Sequence, residues 1–119
     1  MQNDILLAAI IESAGLAIVS SDLDGLIVTW NPAAEQLFGY TEQNAIGRHI
    51  CIIFAHKLQL LELELIEMVL TGKRVGFHPT VLVTRSGKEI SAGVTFSAVV
   101  NRNKQLIGVS YNCWPPQSS

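Results

Sequence analysis

The sequence predicts an α+β domain: a five-stranded antiparallel sheet with short helices packed on one face, preceded by an N-terminal amphipathic helix. Three observations lead there. Five runs rich in β-branched and aromatic residues are separated by turn signals, the first pair by Asp24-Gly25, a dipeptide that tolerates positive φ in tight hairpins. Between the second run and the third, the chain carries helix start and stop signals instead. Its 119 residues are enough for one hydrophobic core and too few for two.

In chain order, Asn3 to Ser13 is an amphipathic run with Leu6 and Ile10 at i, i+4 and Gly15 as its stop. Residues 1–14 therefore read as a helix ahead of a domain spanning 15–114. AIVSS and LIVTW are two antiparallel strands. Asn31-Pro32 supplies an N-cap followed by proline at the first helical position, and AAEQLFGY is a helix that Gly39 ends. A second short helix follows Thr41, with Glu42 in its first turn and a stop at Gly47.

The stretch from Ala55 to Leu70 contains LELELIEMVL, whose alternation imitates a strand. Its sixteen residues lack Gly and Pro and are rich in Leu, Glu, Lys and Gln, so length and propensity favour a helix. FHPTVLVT, EISAGVTFSAVV and QLIGVSYNCW are then three strands, joined by turns at Ser86-Gly87 and at Asn101 to Lys104. PPQSS, residues 115–119, reads as a linker or chain end.

The helix over 55–70 makes Glu62 a question. At 100° per residue, Leu58, Leu61, Leu65 and Val69 form one stripe, and Glu62 falls between Leu65, Val69 and Ile66. Its carboxylate then tends inward, whereas Glu64 and Glu67 lie in water; a rotation of some tens of degrees would leave Glu62 in water too. A buried carboxylate needs a partner or a proton.

Composition narrows the function. Hydrophobic residues make up 49% and charged ones 15%, with a mean hydropathy of +0.35, so some apolar surface is expected to meet a partner or enclose a ligand. Net charge is -2 with scattered basic residues, which gives no footprint for nucleic acid or anionic lipid. The run ILLAAII is too short to span a bilayer and lacks the basic flank of a signal peptide, so the expectation is a cytoplasmic protein with no direct membrane contact. Cys51 and Cys113 have neither metal-ligand nor redox-motif spacing and read as buried or half-buried thiols.

The run WNPAAEQLFGYTEQNAIGRHI, the strand pair around Asp24-Gly25, the hairpin RSGKEI and the last pair around NRNKQLIGVSYN together resemble a PAS domain. Asn31, Ala34, Phe38-Gly39-Tyr40 and Gly47 match the family's N-x-x-A-x-x-x-FGY-x-x-E-x-x-x-G pattern, with Gln43 where glutamate is usual. The resemblance implies a sensory or interaction module relaying a signal by homodimerisation to an effector of the same polypeptide, a histidine kinase or a transcription regulator. Asn112-Cys113-Trp114 stands where the family often has a D-I-T-like coupling triplet. Leu6, Leu7, Ile10 and Ile11 are the candidate dimer interface.

Haem-binding relatives carry an axial histidine on the long helix, and Glu62 falls near that position. His56 is then the first alternative ligand, with His49 and His78 behind it. Flavin-binding photosensory relatives carry an N-C-R-F-L-Q-like motif, and here GRHICIIF keeps the cysteine but not its asparagine, arginine and glutamine. The candidate pocket residues are Glu62, Leu65, Met68, His56 and Trp30, with Trp30 and Trp114 as possible stacking partners for a flavin. No cofactor is the expectation, and haem or flavin stays open. No catalytic or metal-ligating motif stands out, so the domain is expected not to be an enzyme. The alternative is a small α+β enzyme that pairs Glu62 with His78 across the sheet.

Overall fold

The computed structural model describes residues 15–114. The helix expected over 1–14, with Leu6, Leu7, Ile10 and Ile11, and the tail over 115–119 lie outside the described residues. Strands β1 (Ala17–Asp22) and β2 (Ile27–Trp30) come first, then helices α1 (Pro32–Phe38) and α2 (Glu42–Ala45). Two 3-10 turns, Ile50–Ile53 and His56–Leu58, lead into α3 (Gln59–Leu70), and β3 (Val75–Val83), β4 (Glu89–Val100) and β5 (Leu106–Trp114) complete the domain.

The sheet order is β2-β1-β5-β4-β3, with every neighbouring pair antiparallel. The first and last strands thus pair at its centre, from Ala17 opposite Cys113 to Asp22 opposite Gly108. Period-2 alternation sends Val19, Leu82, Val94, Phe96, Val109, Tyr111 and Cys113 to one face, where they are buried with Phe38, Ile50, Ile53, Phe54, Ile66 and Val69 from the helical layer. Tyr111 spans the central ladder, its hydroxyl 2.8 Å from that of Ser21.

Helix α1 starts and stops where the sequence places it, for reasons visible in the side chains. Asn31 Oδ1 accepts from the Ala34 amide at 3.0 Å and from the Ile18 amide at 3.0 Å, while its Nδ2 donates to the Leu16 carbonyl at 2.8 Å. One side chain caps α1 and joins it to β1. Gly39, at φ 83°, closes α1 in the left-handed region, which side chains with a Cβ rarely adopt.

The long helix departs from its sequence-based bounds. It begins at Gln59, and residues 56–58 form a separate 3-10 turn. The Ala55 amide donates to the Val81 carbonyl at 3.0 Å, and Phe54 forms an isolated bridge with Leu82. These contacts hold the preceding segment extended along β3, so helical backbone cannot begin there. The buried face is also rotated: Glu62, Ile66 and Val69 point inward, whereas Leu61, expected on the inner stripe, is 44% exposed.

Replacing Asn31 by Ala removes the cap and the contacts to Leu16 and Ile18, and is expected to cost about 2–4 kcal/mol. Urea melts should show a lower midpoint with an unchanged slope, whereas Asn44→Ala on exposed α2 should stay within about 0.5 kcal/mol.

Candidate functional site

The candidate site lies where α3 crosses the inner face of β3, β4 and β5. Glu62, in the first turn of α3, is 0% exposed. Its Oε1 accepts from the Thr80 hydroxyl at 2.5 Å and lies 3.1 Å from His78 Nε2. No described residue donates to its Oε2, which is also buried. Leaving a buried acceptor unsatisfied costs roughly 1–3 kcal/mol, and more when the group is charged, so this oxygen is an unusual thing for a small core to keep.

A backbone irregularity brings His78 to Glu62. Val75 pairs with Phe96 and His78 with Val94, so β3 has one residue more than β4 over this interval. The extra residue is a β-bulge, and it puts Val75 and His78 on the same face despite their odd spacing. Thr80 follows two residues later and shares that face. Phe77, inside the bulge, instead turns to the outer side, where its ring covers Gly93 so closely that a Cβ there would overlap it.

Aromatic rings and thiols surround the carboxylate. Phe96 packs against Tyr111 at 5.5 Å between centroids and against Phe54 and His78, each at 6.4 Å. Burial, and then the Glu62 charge, push the Cys113 thiol from its ordinary 9.0 up to about 12. The same two causes raise the Cys51 thiol. Both groups therefore stay protonated at neutral pH, and neither offers the thiolate that nucleophilic cysteine chemistry requires. Burial likewise pushes the Tyr111 phenol far above its ordinary 10.0, partly offset by its hydrogen bond to Ser21.

The sequence-derived candidates divide. Glu62 is inside, and Leu65 is half-buried against the core. Met68 and His56 are exposed and do not join Glu62. Trp30 is buried elsewhere, its indole N–H donating to the Tyr40 carbonyl at 2.9 Å and its ring 5.3 Å from Phe38. Trp114 is exposed and alternates onto the outer face beside Gly93. His49 is exposed and caps the first 3-10 turn, Nδ1 accepting from the Cys51 amide at 3.1 Å. The haem and flavin candidates named from the sequence do not gather at one site: His49 and His56 are outside, His78 is engaged by Glu62, and the Trp30 ring is packed against Phe38. Thr80 was not singled out from the sequence, although its i, i+2 relation to His78 was the available signal.

The family described as the PAS fold matches residues 6–112. The chain belongs to the PAS family. Among solved structures, the PAS domain of a protein from Colwellia psychrerythraea is similar with a TM-score of 0.88 at 18% identity, over 96% of this chain and 97% of that one. An RNA-binding light-oxygen-voltage receptor is similar with a TM-score of 0.80 at 23% identity, over 95% of this chain and 33% of that one. At these identities the likeness concerns the fold. No curated protein matches the chain in sequence. Among the described residues, no helix of this PAS domain is long and apolar enough to cross a membrane.

Cys113 supplies a pH test. Its folded pKa lies above its unfolded one, so its stabilisation is complete below about pH 9 and is lost as pH rises from there toward about 12. The decline is at most about 1.4 kcal/mol per pH unit. Urea midpoints at about pH 8 and about pH 10.5 should differ less in Cys113→Ala than in the parent.

Proposed function

We propose that this PAS domain is a sensory and interaction module, not an enzyme, which relays changes in its interior through a homodimer to an effector of the same polypeptide. The observation that carries this reading is the outer sheet face. Phe77, 62% exposed, and Trp114, 44% exposed, flank Gly93, which pairs with both Trp114 and Pro79. Apolar rings on open sheet gain from being covered.

The occupant of that face is residues 1–14 of a partner copy. Their predicted apolar stripe, Leu6, Leu7, Ile10 and Ile11, immediately precedes β1, which lies beside β5 near the sheet centre. The inner face of the same strands carries the Glu62 cluster, so a shift in that cluster changes the surface on which the partner rests. A histidine kinase or transcription regulator is the effector class this arrangement suits, in a cytoplasmic protein that touches neither nucleic acid nor membrane itself.

In sedimentation velocity the chain should run as a dimer, and the double change Leu6→Asp, Ile10→Asp should yield folded monomers; an unaltered dimer would count against the reading. The purified protein should also show no Soret or flavin absorption. A Soret band would instead make the domain a haem sensor, and flavin bands a flavin sensor.

A further inference from the structure

We propose that Glu62 Oε2 is the recognition point of a small-molecule site, and that its ligand is a compact molecule presenting nitrogen hydrogen-bond donors, an amidinium or ammonium group. The proposal rests on the sensory reading above and names the chemistry that such a sensor would detect.

One carboxylate oxygen of Glu62 is fixed by Thr80 and His78, so the carboxylate plane is held before any ligand arrives. The other oxygen is fully buried and takes no bond from any described residue. A preorganised acceptor of this kind selects donors over acceptors, because an acceptor placed against it would leave two lone-pair groups facing each other without water.

The surroundings agree with a positively charged, flat group. Phe96 lies 6.4 Å from His78 and packs with Phe54 and Tyr111, and aromatic faces attract cations. An organic donor fits better than a metal ion, since the described residues gather no group of three ligating side chains.

Entry is available beside His78. His78 is the member of the polar cluster that reaches solvent, with its side chain 22% exposed. Thr80 still holds the carboxylate if the imidazole swings away. On the other side, a surface cleft between the C-terminal end of α3 and the facing parts of β3 and β4 has Phe96 in its wall. Lys73 and Arg74 also line that cleft and disfavour a cation there, so the His78 side is the route a cationic ligand takes.

The test is a titration of the full chain, labelled with 13C and 15N, with benzamidine and with benzoate, which match in shape and differ in hydrogen-bonding sense. Benzamidine should move the Glu62 side-chain carboxyl carbon and the Thr80 amide saturably, and benzoate should move neither. Glu62→Gln keeps an oxygen for Thr80 and His78 but puts an NH2 group where Oε2 stood. It should weaken benzamidine at least tenfold and admit benzoate, whereas Glu64→Gln on the exposed side of α3 should change nothing.

Equal responses to the two probes, an unmoved Glu62 carboxyl carbon, or benzamidine affinity retained in Glu62→Gln would each overturn the proposal. If Glu62→Gln does not fold, the discrimination between probes by the parent chain decides alone. A dimer that ignores benzamidine sinks this inference and leaves the interaction reading standing; a monomer that binds benzamidine at Glu62 does the reverse.

Discussion

The ladder between β1 and β5 is the constraint on which the rest of the domain depends. It joins residues almost a full chain length apart, Ala17 with Cys113 and Asp22 with Gly108, so it carries the largest closure entropy of the four strand pairings and unites the local pair β1–β2 with the local run β3–β4–β5 in one sheet. At Gly108 the strands approach so closely that a Cβ would overlap the Ser21 carbonyl. The Ser21 and Tyr111 hydroxyls then fix the register within the core. With the ladder in place, β4 and β3 extend the sheet on one side and β2 on the other, and the helical layer closes over the apolar face.

Glu62 stands apart from this economy. A leucine there would complete the apolar face of α3, since Ile66 and Val69 are already buried beside it. The domain instead keeps a carboxylate, and spends a bulge in an edge strand to give it a histidine. Bulges are characteristic of places where a side chain has to be aimed, and the same bulge sends Phe77 to the outer face. One inserted residue thus shapes both the buried polar cluster and the exposed apolar surface.

The local elements were legible because their signals are local. Asn31-Pro32, Gly39 and the turn residues act over a few positions, and the structure places their caps and turns accordingly. Strand order was not legible, because alternation in AIVSS and in QLIGVSYNCW says that each is half-buried and nothing about which neighbours it takes. Helical periodicity left the direction of Glu62 open between the core and water, and it put Leu61 inside, whereas the structure leaves it 44% exposed. The tether of Phe54 and Ala55 to β3 sets where the chain enters the helix, and such a tether is not written in the helix's own residues. The pairing of Glu62 with His78 was visible as a possibility of chemistry, while the bulge that achieves it has no signature beyond Gly76.

The segments that lead into the helical layer also border the sheet. Residues 47–49 lie against β2, with the Ile27 amide donating to the Arg48 carbonyl and the Gly47 amide donating to the Ile27 carbonyl, while Phe54 and Ala55 occupy part of the free side of β3. Where that cover ends, Pro79 and the bulge interrupt the row of backbone donors. A foreign strand therefore finds no continuous template at either margin, and the sheet resists the edge-to-edge growth that leads to fibres. For an apolar domain, that leaves its faces as the surfaces through which copies can associate without running on into open-ended aggregates.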